Sequence, residues 1–253
     1  MSGSGAPTSI SPDDLADLIR PQLGTALVAF DVDGVLAPLV EHADDSVLSP
    51  GTLEALSALA HATTVGIVSG RALESLQRLF DFPSTLHVIG SHGLETRGDE
   101  PPALDDDEQY TFDQLEIIGS RGVEAAGDGA WLEYKPASVV LHTRSADQAL
   151  AAPAVEAVTN LARMIDRAQV KRGSDVVELL ARNASKGEAL VALAHHLDRR
   201  PIVYLGDDVT DEDAFRSMCA DDLPVRVGPG ETAARYRLAD PDAVSALLAA
   251  LTR

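Results

Sequence analysis

The chain has a single cysteine, Cys219, among its 253 residues, and this excludes an intrachain disulfide. A protein without disulfides is compatible with a reducing compartment. Cys219 follows Asp213 in a segment with a helical pattern, and we expect it to be a small buried apolar side chain.

Basic charge and long apolar runs are also scarce. Lys and Arg number 20 against 40 Asp and Glu, a net charge of −20 at pH 7, which makes nucleic acid and anionic membranes poor partners. No apolar run approaches the roughly 20 residues that span a bilayer. The residues from Met1 to Pro7 have no basic stretch followed by an apolar one, so no secretory signal is predicted. We expect a soluble cytoplasmic monomer.

Short apolar runs followed by helical leucine spacing predict the fold. Hydrophobic residues make up 45% of the chain, enough for a full core. Five runs rich in β-branched residues predict buried parallel strands at 26–30, 64–68, 86–89, 202–205 and 224–227. Leucines at helical spacing follow most of these runs. The alternation predicts an α/β fold with a doubly wound, Rossmann-like parallel sheet.

Four pairs of residues have the spacing of a helix N-cap and its partner. They are Ser11-Pro12, Ser49-Pro50, Ser185 with Glu188 and, more loosely, Thr210 with Asp213. We therefore expect helices to begin directly after the first residue of each pair.

The middle of the chain breaks the strand–helix alternation. Pro101-Pro102 and the acidic run 105–108 indicate a boundary, and the segment to residue 182 reads as helix, two strands, helix, two strands. The strands are predicted at 130–135, 139–143, 168–171 and 176–180, with a long helix at 146–166. We predict an N-terminal segment with a short helix (1–23), a core domain (24–104 and 183–253) and an inserted small α+β cap, or lid, domain (105–182).

Two acidic segments follow predicted buried strands. Asp31-Val32-Asp33-Gly34 follows the first strand, and Gly206-Asp207-Asp208 follows the fourth. Because the carboxyl ends of neighbouring parallel strands meet at one edge of a sheet, we expect these carboxylates to converge on one hard cation, and magnesium suits such a site. Asp31 then fits a nucleophile that attacks phosphorus, Asp33 an acid that protonates the leaving oxygen, and Asp207 a further metal ligand.

Two simpler interpretations of the Asp-x-Asp-Gly segment compete with this one. A calcium loop has glycine at its sixth position and a bidentate Glu at its twelfth, whereas this chain has Gly34 at the fourth and His42 at the twelfth. A solvated turn explains one such segment equally well. Two such segments, each after a buried strand, favour a site.

Two further segments provide donors for a phosphate group. Ser69-Gly70-Arg71 follows the second predicted strand and is expected to open a helix, where a hydroxyl and backbone N–H groups bind anions. A plain N-cap role for Ser69 is the alternative. Lys186 is predicted in the first turn of a helix, where a cation is unfavourable beside the helix's positive end. A contact with phosphate explains that placement, and an exposed lysine is the alternative.

These segments, in this order, resemble the four motifs of the haloacid dehalogenase superfamily of phosphatases. The matching residues are Asp31-Val32-Asp33-Gly34-Val35, Ser69-Gly70-Arg71, Lys186-Gly187 and Gly206-Asp207-Asp208-Val209-Thr210-Asp211. Within the superfamily, the chain is similar to the trehalose-6-phosphate phosphatases from about residue 24 onward. This second similarity is carried by Gly90–Glu95, Glu133-Tyr134-Lys135, Ser138, His142-Thr143-Arg144 and the tail 227–238.

The resemblance implies a role for each matching residue. Asp31 would form an aspartyl-phosphate, Asp33 would act as acid and then base, and both would hold Mg²⁺ together with Asp207. The phosphate would be bound by Ser69, Gly70 and Lys186, supported by Asp208 and Asp211. The implied substrate-binding residues are Arg71, His92, Glu95, Glu133, Lys135, His142, Arg144 and Glu178.

The implied sugar-binding residues allow other interpretations. Glu133 with Lys135, and His142 with Arg144, also fit plain charge pairs across two strands. After Glu178 the family usually has a basic residue and a proline, and in this chain Arg182 is the candidate substitute.

The resemblance implies trehalose-6-phosphate as the substrate. Sucrose phosphate and mannosyl-phosphoglycerate are alternatives for the same chemistry. A phosphomutase and a non-catalytic sugar-phosphate sensor are less favoured.

Overall fold

The chain forms two compact units in the computed structural model, which describes residues 7–100, 103–173 and 175–253. The core unit comprises Met1–Glu100 and Ser185–Arg253, and the cap unit comprises Pro101–Ala184. The predicted boundary at Pro101-Pro102 lies outside the described residues. Residues 7–23, which we predicted as a separate segment, belong to the core unit.

Twelve strands occur in the described part of the chain. They are β1 (Thr8–Ser9), β2 (Leu27–Phe30), β3 (Thr64–Val68), β4 (His87–Gly90), β5 (Glu95–Thr96), β6 (Trp131–Lys135), β7 (Ser138–His142), β8 (Gln169–Arg172), β9 (Val176–Leu180), β10 (Ile202–Gly206), β11 (Leu223–Val227) and β12 (Tyr236–Leu238).

The α-helices number eight over the same residues. They are α1 (Pro12–Ile19), α2 (Thr52–Leu59), α3 (Leu73–Leu79), α4 (Asp106–Ala126), α5 (Gln148–Ala162), α6 (Lys186–His196), α7 (Val209–Ser217) and α8 (Pro241–Leu251). None of them is both long enough and apolar enough to cross a bilayer.

The core unit is built on one eight-stranded sheet with the order β1-β12-β11-β10-β2-β3-β4-β5. All neighbours in it are parallel except β4 and β5, which are antiparallel. The five predicted strands are confirmed as β2, β3, β4, β10 and β11, with bounds shifted by one residue at most. The doubly wound parallel sheet is confirmed, and β5 adds a short antiparallel strand at one edge. The short edge strands β1, β5 and β12 were missed because two or three residues carry no apolar pattern.

Helices cover both faces of the core sheet, as a doubly wound fold requires. On one face, α1, α2 and α8 contribute Leu15, Leu56 and Leu247 to a buried cluster with the strands. On the other face, Leu190 of α6 and Phe215 of α7 pack against the strands. The central strands are therefore buried on both sides, and only their ends are left for a polar site.

The predicted helix starts were partly right. The Ser11 side chain accepts a hydrogen bond from the backbone N–H of Asp14, and Pro12 begins α1. In contrast, α2 begins at Thr52, because Gly51 takes a left-handed conformation that ends the turn after Ser49-Pro50.

Two other expectations near α7 were also wrong. The N-cap of α7 is Asp208, two residues before the predicted Thr210, because the Asp208 carboxylate reaches the first free N–H groups. Cys219 lies beyond the end of α7 and is exposed, so it is neither helical nor buried.

The cap unit has an antiparallel sheet with the order β6-β7-β9-β8. The predicted order of helix, two strands, helix, two strands is confirmed, although α5 ends at Ala162 rather than at residue 166. Alternate residues such as Leu132, Leu141 and Leu179 join a buried cluster with Leu115 of α4. Since side chains alternate along strands, Trp131, Glu133 and Lys135 of β6 lie on the opposite face, which we call the polar face of the cap sheet.

Candidate active site

The two acidic segments meet at one edge of the core sheet, because β2 and β10 are adjacent and parallel. Phe30 is in register with Leu205, and the backbone N–H of Asp31 donates to the Leu205 carbonyl at 2.9 Å. Gly34 has a φ of +76°, and a Cβ there would overlap the carboxylate of Asp207. Asp207 thus packs directly against the turn after Asp33, as the strand order predicts.

Lys186 lies buried between carboxylates from both segments. Its Nζ donates to Asp31 Oδ2 at 2.6 Å and to Asp211 Oδ1 at 2.9 Å, and its side chain is only 2% exposed. Burial alone would lower the pKa of Lys186, but the charges of Asp31 and Asp211 outweigh it and raise the pKa above its ordinary value. The lysine at the start of α6, predicted to have a task there, is a fixed cation in this cluster.

Asp211 anchors the cluster through four hydrogen bonds. Its Oδ1 accepts from Lys186 Nζ and from Tyr204 Oη at 2.6 Å, and its Oδ2 accepts from the backbone N–H groups of Asp207 and Asp208. Asp208 in turn accepts from the backbone N–H of Asp211, which completes a capping box at the start of α7. This network fixes the backbone that carries Asp207.

Negative charge exceeds positive charge in this cluster. Burial, opposed by Lys186 and helped by Asp211, raises the pKa of Asp31 well above its usual range. Burial and the neighbouring carboxylates of Asp211 and Asp208 raise the pKa of Asp207 to about 7. Burial also raises the pKa of Asp208, but Lys186 and the hydroxyl of Thr210 outweigh it and hold that pKa at about 2. One ammonium does not offset this many carboxylates, so the site favours a further cation.

The donor set fits a hard divalent cation. Oxygens of Asp31, Asp208 and Asp211 lie within 4.8 Å of one another. Asp211 already accepts four hydrogen bonds, whereas the Asp207 carboxylate accepts none from the residues that the structure describes. Carboxylate oxygens without other donors are the ligands that Mg²⁺ and Ca²⁺ use. The chemistry of Asp31, Asp208 and Asp211 therefore agrees with a cation at this edge of the sheet, beside Asp207.

Asp33 is held by an arginine that we expected to contact substrate. Arg71 Nε and Nη2 donate to the two oxygens of Asp33 at 2.6 and 2.7 Å, and Ser46 Oγ donates to Asp33 Oδ1 at 3.0 Å. A bidentate arginine pair fixes both the position and the plane of a carboxylate. Arg71 is therefore a partner of Asp33 in this structure, and Ser46 is a contact that sequence reasoning missed.

Ser69 and Gly70 lie in a loop rather than at a helix start. The helix α3 begins only at Leu73, after the N-cap Ala72, so the expected helical N-terminus is displaced by three residues. Ser69 Oγ is buried and accepts from the backbone N–H of Arg71 at 3.2 Å. An anion site here would thus use loop N–H groups.

The loop after β4 packs against that of β3. The backbone N–H of His92 donates to the Ser69 carbonyl at 3.0 Å, and a Cβ on Gly70 would lie 2.6 Å from His92 Cε1. Glu95 Oε2 accepts from the backbone N–H of Leu73 at 3.0 Å and from Ser91 Oγ. His92 and Glu95 therefore hold this edge of the sheet in shape.

The predicted sugar-binding residues of the cap unit form two pairs on the polar face. His142 Nε2 lies 2.8 Å from Glu133 Oε2, and Lys135 Nζ lies 3.3 Å from Glu178 Oε1, which also accepts from Ser138 Oγ at 2.7 Å. Lys135 and Glu178 are nearly buried, at 8% and 10% side-chain exposure.

Arg144 and Arg182 lie elsewhere in the cap unit. Arg144 follows the end of β7 and is exposed, so it does not share a strand face with His142 as expected. Arg182 Nε donates to Glu108 Oε1 at 2.8 Å, and its Nη2 donates to the Ala103 carbonyl at 2.8 Å. Arg182 therefore binds the start of α4.

Tyr204 and Trp131 were not expected to have functional contacts. Tyr204 is fully buried within an apolar strand, where only its hydroxyl indicates a polar task. Trp131 stacks on His142 with ring centroids 4.0 Å apart. Neither residue falls in a motif, which is why both were missed.

Comparison with known proteins identifies close relatives. The chain is 32% identical over 240 residues to the trehalose-phosphate phosphatase of Mycobacterium tuberculosis, covering 89% of this chain and 61% of that protein. It is 33% identical over 231 residues to the trehalose-6-phosphate phosphatase of Escherichia coli, covering 83% of this chain and 80% of that protein. The chain thus spans about three fifths of the mycobacterial relatives' length.

Solved structures share the fold. The C-terminal domain of a Candida albicans trehalose-6-phosphate phosphatase matches with a TM-score of 0.79 at 23% identity, covering 99% of both chains. A haloacid dehalogenase-like hydrolase from Bacteroides thetaiotaomicron matches with a TM-score of 0.66 at 14% identity, covering 88% of this chain and 98% of that chain. The family model described as trehalose-phosphatase matches residues 29–242. The chain therefore belongs to the trehalose-phosphatase family.

Proposed function

We propose that this protein is a magnesium-dependent phosphatase that hydrolyses trehalose-6-phosphate to trehalose and inorganic phosphate. Membership of the family supports the substrate class. The observation that carries the chemistry is the buried Asp31–Lys186 contact of 2.6 Å at the end of a central strand. It lies beside the carboxylate of Asp207, which accepts no hydrogen bond from the residues that the structure describes.

The first step of the proposed reaction forms a bond between an oxygen of Asp31 and the phosphorus atom. The bond from phosphorus to the sugar oxygen breaks, and Asp33 gives its proton to that oxygen as trehalose leaves. Lys186, already 2.6 Å from Asp31, would bind the phosphoryl oxygens, with Ser69 and the N–H groups near Gly70 on another side.

The second step releases the phosphate from Asp31. Asp33, now ionised, takes a proton from a water molecule as the water oxygen attacks phosphorus. The bond from phosphorus to Asp31 breaks, which restores the free carboxylate and yields inorganic phosphate. Arg71 orients the Asp33 carboxylate for both proton transfers through its two hydrogen bonds.

Magnesium would be held by the carboxylates of Asp31 and Asp207 and the backbone carbonyl of Asp33. When bound, it would neutralise the phosphate charge that otherwise repels a carboxylate nucleophile. Asp208 and Asp211 would support this set by fixing the backbone of Asp207.

The sugar would be recognised by polar residues of the cap unit. Glu133 and His142 form one pair on the polar face, and Lys135 and Glu178 form the other. Carboxylates and an ammonium in fixed positions are suited to hydroxyl groups. Arg144, His92 and Glu95 complete the proposed set.

A panel of sugar phosphates tests the proposal by phosphate release. With Mg²⁺, trehalose-6-phosphate is expected to give the highest kcat/KM, above sucrose phosphate and mannosyl-phosphoglycerate. Asp31→Asn is expected to lower kcat by about a thousandfold or more, because an amide is a poor nucleophile for phosphorus.

Exposed Asp81→Asn serves as the control and should keep wild-type turnover. Phosphate release by the Asp31→Asn variant at the wild-type rate would remove Asp31 from its role. Isomerised sugar phosphate without free phosphate would indicate a mutase.

A further inference from the structure

Trp131 is the only tryptophan of the chain, and it lies exposed on the polar face of the cap sheet. It begins β6 directly opposite His142 of β7, and the two rings stack at 3° with centroids 4.0 Å apart. Its relative exposure is 52%. Among the described residues, the buried cluster beneath the sheet includes Leu132 from β6 but not Trp131. The indole therefore adds little to the core.

The neighbours of Trp131 are polar and fixed. The His142 ring that it covers is 2.8 Å from Glu133, so the imidazole has a defined orientation between an indole and a carboxylate. The Lys135–Glu178 pair continues the same face. An aromatic surface thus stands beside a row of hydrogen-bonding groups.

This combination matches the surface of a pyranose ring. A sugar ring has an apolar face of C–H groups that packs on aromatic rings, and a rim of hydroxyls that needs donors and acceptors. A large exposed aromatic side chain loses little conformational entropy when it binds, since it has only two rotatable bonds. The stack with His142 restricts it further.

We propose that the Trp131–His142 stack is a platform that contacts the apolar face of a sugar ring, and that Trp131 is a further sugar-specificity residue of this protein. The identity of the sugar as trehalose rests on the proposed function. The platform itself requires only a pyranose, so a neutral sugar without phosphate should bind to it.

The single tryptophan provides a direct readout. Because all indole emission comes from Trp131, trehalose is expected to change the emission of the wild-type protein in a saturable way, and inorganic phosphate alone is not. The Asp31→Asn variant allows the same titration with intact trehalose-6-phosphate. Unchanged emission at saturating concentrations of both sugars would overturn the proposal.

Steady-state kinetics give the second test. Trp131→Ala is expected to raise the KM for trehalose-6-phosphate about tenfold, with the change in KM rather than in kcat, while Trp131→Phe recovers most of it. Tyr134→Ala is the matched control, because Tyr134 is an exposed aromatic of the same strand on the other face, bonded to Glu116 of α4. An equal rise in KM for both alanine variants, or no rise for Trp131→Ala, would contradict the platform.

The two proposals fail in different ways. If the wild-type protein releases no phosphate but trehalose changes its emission, the proposed function fails and the platform stands. The opposite result is phosphate release by the wild-type protein, no change of its tryptophan emission with either sugar, and an unchanged KM in Trp131→Ala. In that case the platform fails and the function stands.

Discussion

Arg71 fixes the orientation of the Asp33 carboxylate. The side chain of Arg71 is nearly buried, at 10% exposure, and its guanidinium donates hydrogen bonds to both carboxylate oxygens of Asp33. A carboxylate that must give and take a proton at one atom gains from a fixed plane. Arg71 is therefore a positioning residue for the proposed acid and base.

Replacing Arg71 tests this role. Arg71→Met is expected to lower kcat about 10- to 100-fold, because Asp33 loses its orientation. Arg71→Lys should recover only part of this, since lysine cannot make the bidentate contact. Both values come from phosphate release at saturating substrate.

The exposed pair Arg78–Asp44 provides the control for Arg71. It has a similar distance of 2.7 Å but lies in solvent, so Arg78→Met should leave kcat within about twofold of wild type. Wild-type kcat in Arg71→Met would show that Asp33 needs no such partner.

Single residues differed in how far the sequence could place them. Asp31 and Asp207 follow predicted strands, and Lys186 is a cation at the unfavourable start of a helix, so each carries a signal in its local sequence. The structure brings these three residues close together. The contact of Arg71 with Asp33 depends on side-chain conformations across two adjacent strands, which no spacing in the sequence encodes. The hydroxyl of Tyr204 likewise finds Asp211 only in the fold.

The start of α4 illustrates stability at the scale of one element. Asp105 and Glu108 form a capping box. Arg182, two residues after the end of β9, donates a hydrogen bond to Glu108. The hydrogen bond from Arg182, followed by that from the backbone of Asp105, lowers the pKa of Glu108 to about 2 from an ordinary 4.5. Arg182 was the candidate substitute in sugar recognition. It instead joins the last residues of the cap unit to its first helix, α4.

This pair predicts a pH dependence of stability. A lowered pKa in the folded state contributes stability above pH 4.5 that is lost as the pH falls toward about 2. Glu108→Gln should therefore lower the free energy of unfolding by about 1 kcal/mol at pH 7, since the pair lies near solvent, and by progressively less below pH 4.5.

Urea unfolding of both proteins across this pH range measures the difference. The exposed Glu124→Gln on the same helix is the control and should match wild type throughout. A difference for Glu108→Gln that is constant with pH would contradict the pairing.

Elements were predicted best where pattern and length agreed. The strand 64–68 was predicted to the residue, because a run buried on both faces has no polar interruption. Helix starts were predicted less accurately. Ser49-Pro50 is typical of a helix start, but the left-handed Gly51 is the N-cap and α2 begins after it. The N-cap of α7 is Asp208 rather than Thr210. Capping is decided by which side chain reaches the free N–H groups, and several candidates stand within a few residues.

The whole molecule carries a net charge of −20, and part of that charge is concentrated at the proposed metal site. Self-repulsion of this size destabilises the compact state, and any salt should relieve it. A cation bound between Asp31 and Asp207 would add stability beyond such screening.

Thermal unfolding at matched ionic strength separates the two effects. We expect MgCl₂ to raise the Tm about 2–4 °C more than NaCl does, as a binding free energy of one to two kcal/mol gives in a chain of this size. Asp207→Asn should abolish the extra rise while keeping the response to NaCl. Equal shifts with both salts in the wild type would argue against a specific cation at this position.

Asp31 and Lys186 stand 155 positions apart in the chain, and β10 takes its place beside β2 only after the whole cap unit has been synthesised. Closing so long a loop makes this pairing an entropically costly, late step of folding. On the ribosome, the proposed nucleophile Asp31 therefore emerges before Lys186 and Asp207. Under the proposed function, chains that stop before Lys186 and Asp207 are expected to release no phosphate.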